Sequence, residues 1–192
     1  MSSISCTGCG REYGEARFAG GRTLVCACGA RVGRLLLVRL HDPPRFLVDS
    51  MLGGLARWLR VLGYDTAWEP EIADAELVRR GVEEGRRVLT RDRGLAEEWW
   101  VEGRVLLRSD DPLEQLREVA EAVGLSAGAM FTRCLRCNLP LEALPAEEAG
   151  ARVPPAIRQV PREYRHCPGC RRVYWEGSHT ARMRREVERA LG

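Results

Sequence analysis

The chain has 192 residues, of which 45% are hydrophobic and 30% charged, so it is long enough to bury an ordinary core. No segment approaches the roughly 18 uninterrupted apolar residues of a membrane span, and the N-terminus "MSSISCTGCG" lacks the charged and apolar regions of a signal peptide. We therefore expect a cytoplasmic protein without a membrane partner. The sequence makes no prediction of oligomeric state.

Charge is distributed unevenly along the chain, although the net value is only +3. Residues 1–40 carry six Arg and two Glu, and residues 151–192 carry ten Arg and four Glu. The middle, residues 41–150, carries 14 Arg against 21 acidic residues. An acidic centre between two basic ends is consistent with a metal-using site flanked by surfaces that attract phosphate.

Cysteine placement divides the chain into three regions. We expect domains at residues 1–40, 41–128 and 129–192, because the first and last regions each hold four of the eight cysteines and the middle holds none. Pro43 and Pro44 in "HDPPRF" mark the first junction, since neither residue can continue a helix or a central strand.

The cysteine-free middle alternates strand and helix patterns. A strand "RFLVD" precedes the helix "MLGGLARWLRVLG", and a strand "YDTAW" precedes the helix "ADAELVRRGVEEG", opened by Asp74. Then follow the strand "RRVLT", the helix "RGLAEEWWVEG", the strand "RVLLRS" and the helix "DPLEQLREVAEAVG". This alternation predicts an α/β domain with a mostly parallel sheet covered on both faces. A basic helix, "SHTARMRREVERALG", is predicted to end the chain.

The eight cysteines form four close pairs, which in a reducing compartment more often hold a metal than form disulfides. Two CxxC pairs in the last region suit one tetrahedral zinc, and the N-terminal CxxC and CxC pairs, separated by the hairpin-like "REYGEARFAGGRTLV", suit another. Redox thiols and isolated core cysteines are the alternatives. We expect two structural zinc ribbons, with these ligands: Cys6, Cys9, Cys26 and Cys28; Cys134, Cys137, Cys167 and Cys170.

The segment after the last CxxC pair carries Arg171, Tyr174, Trp175 and His179, which are suited to stacking on bases and contacting phosphates. The alternative is that the two aromatic residues close the small core of the ribbon. His166, next to Cys167, is interpreted as a surface residue.

Carboxylates follow two of the predicted strands. Asp49 ends "RFLVD", and Asp92 comes two residues after "RRVLT", so both lie at the carboxyl edge where sites form in α/β sheets. Asp74 and the pair Asp110 and Asp111 are further candidates for that edge. Such groups would repel one another unless they bound a hard cation such as Mg²⁺ or Mn²⁺. The alternative is helix capping: Asp74 and Asp111 suit N-cap positions, and Asp92 is a further candidate for one.

Four segments together resemble the Mut7-C family, a PIN-like RNase domain followed by a zinc ribbon: "FLVDSMLGGLARWLRVLGYDT", "DAELVRRGVEEGRRVLTRDRGL", "RCLRCNLPLE" and "CPGCRRVYWEGSHTARM". The resemblance covers about residues 45 to 185, in the family's order. It implies a PIN-like three-layer α/β/α fold and metal-dependent RNA cleavage. It carries over Asp49 as the first acidic residue, Asp74 as the one that opens a helix, and Asp92 as the one in "TRD".

The sequence departs from the resemblance at one acidic position. Many PIN nucleases have a further Glu on a helix between the first two acids, but the interval here contains only Asp65, Glu69 and Glu71. Asp110 is the candidate replacement. The N-terminal ribbon lies outside the resemblance and is interpreted as an added nucleic-acid-binding or protein-binding module.

The predicted function is therefore a ribonuclease that uses Mg²⁺ or Mn²⁺ on Asp49, Asp74 and Asp92, with its zinc ribbons aiding RNA binding. The ribosome and tRNA are candidate sources of the RNA. A non-catalytic RNA-binding or ribosome-binding adaptor is the rival. A nucleotide-binding protein is not favoured, because "DSMLGG" lacks a phosphate-loop pattern. The candidates for RNA contact are Arg57, Arg91, Arg93, Arg171, Tyr174, Trp175 and His179.

Overall fold

The computed structural model describes residues 3–33, 35–150, 152–159 and 162–192. The chain forms two units. The first unit contains the chain up to Gly53 together with Trp68–Arg108, and the second contains Gly54–Ala67 together with Ser109–Gly192.

The N-terminal part of the first unit consists of two antiparallel hairpins. Strand β1 (Ser3–Ser5) pairs with β2 (Glu12–Gly14), and β3 (Leu24–Val25) pairs with β4 (Arg31–Val32). The interval predicted to be hairpin-like contains a 3₁₀ segment, Glu15–Gly21, that joins the hairpins. One cysteine pair lies in the turn of each hairpin, and the small core around them is formed by Cys6, Phe18, Cys26 and Val32.

The following segment builds a four-stranded sheet in the order β6-β5-β7-β8, in which β5 pairs with β7, and β7 with β8, in parallel. Its elements in chain order are β5 (Phe46–Val48), α1 (Gly53–Val61), β6 (Thr66–Trp68), α2 (Asp74–Glu83), β7 (Arg87–Thr90), α3 (Arg93–Glu98), β8 (Val105–Leu106) and α4 (Pro112–Val123). The predicted α/β class, with a parallel sheet flanked by helices, is confirmed.

Strands β5 and β7 are the two central strands of the sheet, and each contributes a run of buried apolar residues. Phe46, Leu47 and Val48 are completely buried, as are Val88 and Leu89. Continuous apolar runs of this kind are typical of parallel strands covered on both faces. Helix α2 packs on β5 and β7. The sheet therefore presents its strand ends at a fixed edge.

Helix α3 is shorter than predicted. The sequence predicts a helix over 93–103, but α3 ends at Glu98 and Trp99 is extended, with φ −118° and ψ 131°. The reason is long-range pairing: Trp99 bridges to Arg22 and Val101 bridges to Leu36. Tertiary pairing has overridden helix propensity here. The last predicted strand of the domain, "RVLLRS", is likewise reduced to the two residues of β8.

The second unit contains a three-stranded antiparallel sheet in the order β11-β10-β9. Its elements after α4 are β9 (Glu142–Leu144), α5 (Ala146–Gly150), α6 (Pro155–Arg158), β10 (Tyr164–His166), β11 (Val173–Trp175) and α7 (Ser178–Leu191). The predicted terminal helix is thus confirmed as α7, which packs against α4 and buries Met183 and Val187. The segment between the last two cysteine pairs contains a small core of Leu144, Ala149, Val153 and Tyr164.

Across the ranges that the structure describes, no helix combines the length and apolar character needed to cross a membrane.

Candidate active site and metal centres

Asp49 is buried at the end of β5, with only 3% of its surface exposed. Its Oδ2 accepts a hydrogen bond from Thr90 Oγ1 at 2.6 Å. Its Oδ1 accepts from the Ser50 backbone N–H at 2.6 Å and from Ser50 Oγ at 3.2 Å. Burying a carboxylate is costly unless it is hydrogen-bonded, so these three donors fix its position at the sheet edge.

Asp92 is linked to the same site through Thr90. The fully buried Thr90 hydroxyl accepts from the Asp92 backbone N–H at 2.9 Å. The Asp92 side chain caps α3, because its Oδ1 accepts from the backbone N–H groups of Gly94 at 2.6 Å and Leu95 at 3.3 Å. The capping interpretation is confirmed, and it uses one of the two carboxylate oxygens.

Asp74 lies in the first turn of α2, where Ala73, and not Asp74, is the N-cap residue. Burial raises the pKa of Asp74, and the negative charges of Asp92, Asp49 and Glu98 raise it further. The carboxylates of Asp49, Asp74 and Asp92 therefore interact electrostatically within the first unit.

The three aspartates form a looser set than the cysteines. Among the described residues, only the two cysteine groups bring three or more ligand atoms within 4.8 Å of one another. Mg²⁺ usually keeps several waters and takes only one or two carboxylates directly. A looser set of carboxylates is therefore compatible with the oxygen chemistry of Mg²⁺ or Mn²⁺.

The other acidic candidates have different surroundings. Asp110 is exposed in the second unit, and Asp111 caps α4 by accepting from the backbone N–H groups of Leu113 and Glu114 at 2.9 and 3.0 Å. In the interval between the first two acids, Asp65 accepts from Asn138 Nδ2 at 2.7 Å. Glu69 forms an ion pair with Arg80 in the same region. Asp65 and Glu69 therefore have structural partners.

The N-terminal cysteine cluster consists of Cys6, Cys9, Cys26 and Cys28. Two Sγ–Sγ distances, Cys6 to Cys28 and Cys9 to Cys26, are 3.5 Å. That separation is much longer than the roughly 2.05 Å of a disulfide. It is close to the roughly 3.8 Å edge of a tetrahedron with Zn–S bonds of about 2.3 Å. The group fits a structural zinc ion with no open position.

The C-terminal cluster has the same composition: Cys134, Cys137, Cys167 and Cys170. The Cys134 and Cys170 Sγ atoms are 3.6 Å apart, and Tyr174 Oη lies 3.1 Å from Cys134 Sγ. Burial raises the pKa of Cys134, but hydrogen bonds from Tyr174 and from backbone N–H groups outweigh it and lower the pKa to about 6. This environment favours the thiolate that zinc requires. The group fits a second structural zinc ion.

A buried arginine supports the C-terminal cysteine knuckle. Arg60 is 6% exposed, and its Nη1 donates to the carbonyls of Leu135 and Arg136 at 3.0 and 3.1 Å. Its Nε and Nη2 donate to the Thr66 carbonyl at 3.0 and 2.9 Å. The knuckle is therefore anchored to residues 60–66, which belong to the same unit.

Asn138 adds a second anchor directly after the knuckle. It adopts a positive φ of 64°, a conformation that asparagine tolerates better than most residues. Its Oδ1 accepts from the Thr66 backbone N–H at 2.9 Å, while its Nδ2 contacts Asp65.

Comparison with known protein families gives one match: the Mut7-C RNAse domain model aligns with residues 44–187. This range contains Asp49, Asp74, Asp92 and the C-terminal cysteines, and it covers most of the chain. The chain belongs to the Mut7-C RNAse domain family. No match was found among curated proteins or among solved structures. The N-terminal cysteine cluster lies outside the matched range.

The residues predicted to contact RNA lie in both units of this Mut7-C chain. Arg91 is half-buried beside Asp92, whereas Arg93 is exposed at the start of α3. In the second unit, Arg57 is exposed on α1, and Arg171 and His179 are exposed near the ribbon. These positions stay predictions for RNA contact.

The two aromatic candidates have partners inside the ribbon. Tyr174 contacts the cysteine cluster, and Trp175 packs against the small core around Tyr164. These contacts support the alternative that both close the ribbon core. His166 lies 3.5 Å from Glu142 and is half-buried, while the four cysteines complete the cluster without it.

Several residues of these sites carry a signal that sequence reasoning missed. Thr90 was a polar residue at the end of a buried strand, and Arg60 interrupted an apolar helix face. Asn138 directly follows a CxxC pair, where a positive φ ends the turn. Each is a polar residue in an apolar or turn context, which is the pattern that buried hydrogen-bonding residues leave in a sequence.

Proposed function

We propose that this Mut7-C chain is a metal-dependent ribonuclease that hydrolyses RNA phosphodiester bonds. Membership of the family supports a ribonuclease-like function. Metal dependence is supported by the geometry of the sheet edge: Asp49 follows β5, Asp92 follows the parallel strand β7, and the Thr90 hydroxyl joins the two residues. Burial and the negative charges of Asp92 and Asp49 also raise the pKa of Asp74. A divalent cation would relieve this repulsion, because carboxylate oxygens are its preferred ligands.

In this proposal Asp49, Asp74 and Asp92 hold Mg²⁺ or Mn²⁺. The cation, when bound, would activate water and offset negative charge on the phosphate. Thr90 holds one oxygen of Asp49, and the α3 cap orients Asp92, so the chain keeps both carboxylates in place before RNA arrives. Asp110 stays a predicted acidic residue and belongs to the second unit.

The arginines next to the carboxylates have a separate proposed role. Arg91 and Arg93 flank Asp92, and guanidinium groups form paired hydrogen bonds with phosphate oxygens. They would hold the RNA backbone beside the acids. The C-terminal ribbon, with Arg171 and His179, would extend the RNA contact. The proposed substrate is ribosomal RNA or tRNA in the cytoplasm.

Mn²⁺ binding to the zinc-loaded protein tests the carboxylate site without turnover. The concentration of free Mn²⁺ is measured from its EPR signal. We expect the wild type to bind Mn²⁺ and Asp49→Asn to bind more than about tenfold more weakly. Asp42→Asn is the matched control, since Asp42 is an exposed aspartate of the same unit.

Two results would overturn the proposal. In one, the wild type does not bind Mn²⁺ but binds RNA with strong salt dependence, which favours the adaptor function. In the other, Asp49→Asn and Asp42→Asn bind Mn²⁺ like the wild type, which places the cation elsewhere.

A further inference from the structure

Helix α3 depends on contacts outside itself. It contains only six residues, far fewer than the roughly 12–15 at which isolated helices become stable in water. Its N-cap is Asp92, so whatever holds the helix also holds that carboxylate. Its last carbonyls have no partners within the helix and need donors from elsewhere.

Two side chains from the N-terminal hairpins supply donors to the carbonyls of Ala96 and Glu97, and Arg104 Nη1 also donates to the Ala96 carbonyl, at 2.8 Å. Arg31 Nη1 donates to the carbonyl of Ala96 at 2.5 Å, and Thr23 Oγ1 donates to the carbonyl of Glu97 at 2.5 Å. The Thr23 backbone N–H also donates to the carbonyl of Glu98. A cation and two further donors at a helix C-terminus complement both its unpaired carbonyls and its dipole.

A third contact lies at the same end of α3. Arg22 Nε lies 2.6 Å from Glu98, and its guanidinium lies 5.6 Å from the ring centre of Trp99. Exposed ion pairs contribute little on their own, so the buried Thr23, 8% exposed, is the stronger anchor.

Two residues of the N-terminal cysteine cluster lie in the hairpin that carries both anchors. Thr23 immediately precedes β3, Arg31 begins β4, and Cys26 and Cys28 lie in the turn between these strands. The buried core of the module consists of four residues, two of them cysteines. A core of this size does not order a module without a metal or a comparable link.

From these contacts we propose that the N-terminal four-cysteine module is a zinc-dependent clamp on α3, and that Thr23 and Arg31 are positioning residues for Asp92. The module lies outside the range matched to the family, so the clamp is an addition made by this chain. Its structural part stands on the contacts alone, and only its effect on cleavage rests on the proposed ribonuclease activity.

Amide hydrogen exchange, followed by NMR on the full-length zinc-loaded protein, tests the structural part. The reporters are the amides of Ala96 and Trp99, which donate to carbonyls at Asp92 and Leu95. Thr23→Val should raise their exchange rates roughly fivefold by removing one hydrogen bond, whereas Thr23→Ser, which keeps the hydroxyl, should restore protection. The amide of Asp49 should not change, since it reports on the sheet.

A matched pair of arginine variants makes the test specific. Arg31→Met leaves Arg104 on the Ala96 carbonyl, so it should deprotect the same two amides by less than Thr23→Val does. Arg17→Met, which changes an exposed arginine of the same module, should leave them protected. Equal exchange in wild type, Thr23→Val and Arg31→Met would overturn the clamp. Faster exchange that includes the Asp49 amide would also overturn it, because it would indicate general destabilisation.

The catalytic consequence is measured separately. If the clamp positions Asp92, Thr23→Val should raise the Mg²⁺ concentration for half-maximal RNA cleavage, and Thr23→Ser should restore it. An unchanged Mg²⁺ requirement beside faster α3 exchange would overturn the positioning of Asp92. Absence of cleavage in the wild type, with the exchange results as predicted, would overturn the ribonuclease proposal and leave the clamp standing.

Discussion

Thr90 Oγ1 lies 2.6 Å from Asp49 Oδ2, so a hydroxyl at the end of one strand holds the carboxylate at the end of its neighbour. The same hydroxyl accepts from the backbone N–H of Asp92. One buried side chain therefore links two of the acidic residues at the carboxyl edge of the sheet. The link uses a donor and an acceptor together, which only a hydroxyl of this size provides here.

Thr90→Val should destabilise the protein, because it leaves Oδ2 of the buried Asp49 without its hydroxyl donor. We expect the free energy of unfolding to fall by about 1–3 kcal/mol. Thr90→Ser keeps the hydroxyl and should recover most of the loss. Urea denaturation measures both, and equal stabilities for the Val and Ser variants would contradict this role.

Asp74→Asn should stabilise the protein at neutral pH in buffer without Mg²⁺ or Mn²⁺. The pKa of Asp74 is raised by burial and by neighbouring carboxylates, so its ionised form is disfavoured in the folded state despite its place in the first turn of α2.

The stabilisation expected for Asp74→Asn depends on pH. A raised folded pKa means that wild-type stability falls as pH rises from the ordinary value of about 4 through the folded pKa. The difference in unfolding midpoint between Asp74→Asn and wild type should therefore be positive at pH 7 and vanish near pH 3. An equal difference in unfolding midpoint at pH 7 and pH 3 would show that the charge of Asp74 does not cause the stabilisation.

Tyr174→Phe should weaken zinc binding at the C-terminal cluster without abolishing it. The Tyr174 hydroxyl lies 3.1 Å from Cys134 Sγ, and groups that hydrogen-bond to metal ligands typically change affinity by about 10–100-fold. We expect about two zinc ions per chain in both proteins, since each cysteine group takes one. Zinc transfer to a coloured chelator should be faster in the variant.

Tyr164→Phe provides the matched control for this measurement. Tyr164 lies on the paired strand, but its hydroxyl donates to the carbonyl of Ile157 rather than to a cysteine. Equal zinc-transfer rates for the two variants would contradict a specific role for Tyr174.

Arg60→Met should lower the free energy of unfolding by about 3 kcal/mol, because it leaves the buried Thr66 carbonyl and the part-buried carbonyls of Leu135 and Arg136 short of a donor. Arg60→Lys should not restore stability, since an ammonium group lacks the planar fork that reaches several acceptors. Arg57→Met, on the exposed side of the same helix, should change stability by less than about 0.5 kcal/mol. Full stability of Arg60→Lys in chemical denaturation would refute the geometric argument.

The elements with continuous apolar runs were predictable, because burial on both faces leaves an unambiguous pattern in strands such as Phe46–Val48. The placement of Asp49 and Asp92 after neighbouring strands followed from the same pattern. The two groups of zinc ligands were equally predictable, because the spacing within each cysteine pair is typical of metal binding.

Long-range contacts were not predictable from local patterns. The end of α3 depends on pairing of Trp99 and Val101 with Arg22 and Leu36, which lie far away in sequence. The place of Tyr174 beside a cysteine, rather than on a free surface, depends on the register of β10 and β11. Neither register nor pairing partner is encoded within one element.

Cleavage of end-labelled structured and single-stranded RNA by wild type and Asp92→Asn, with Mg²⁺ or Mn²⁺ supplied, tests the central claim most directly. Asn keeps a side-chain oxygen that caps α3 but removes the charge, so the variant separates metal binding from capping. We expect the wild type to cut RNA and a folded Asp92→Asn not to cut it. Equal cleavage by both proteins, or RNA binding by both without cleavage, would contradict it.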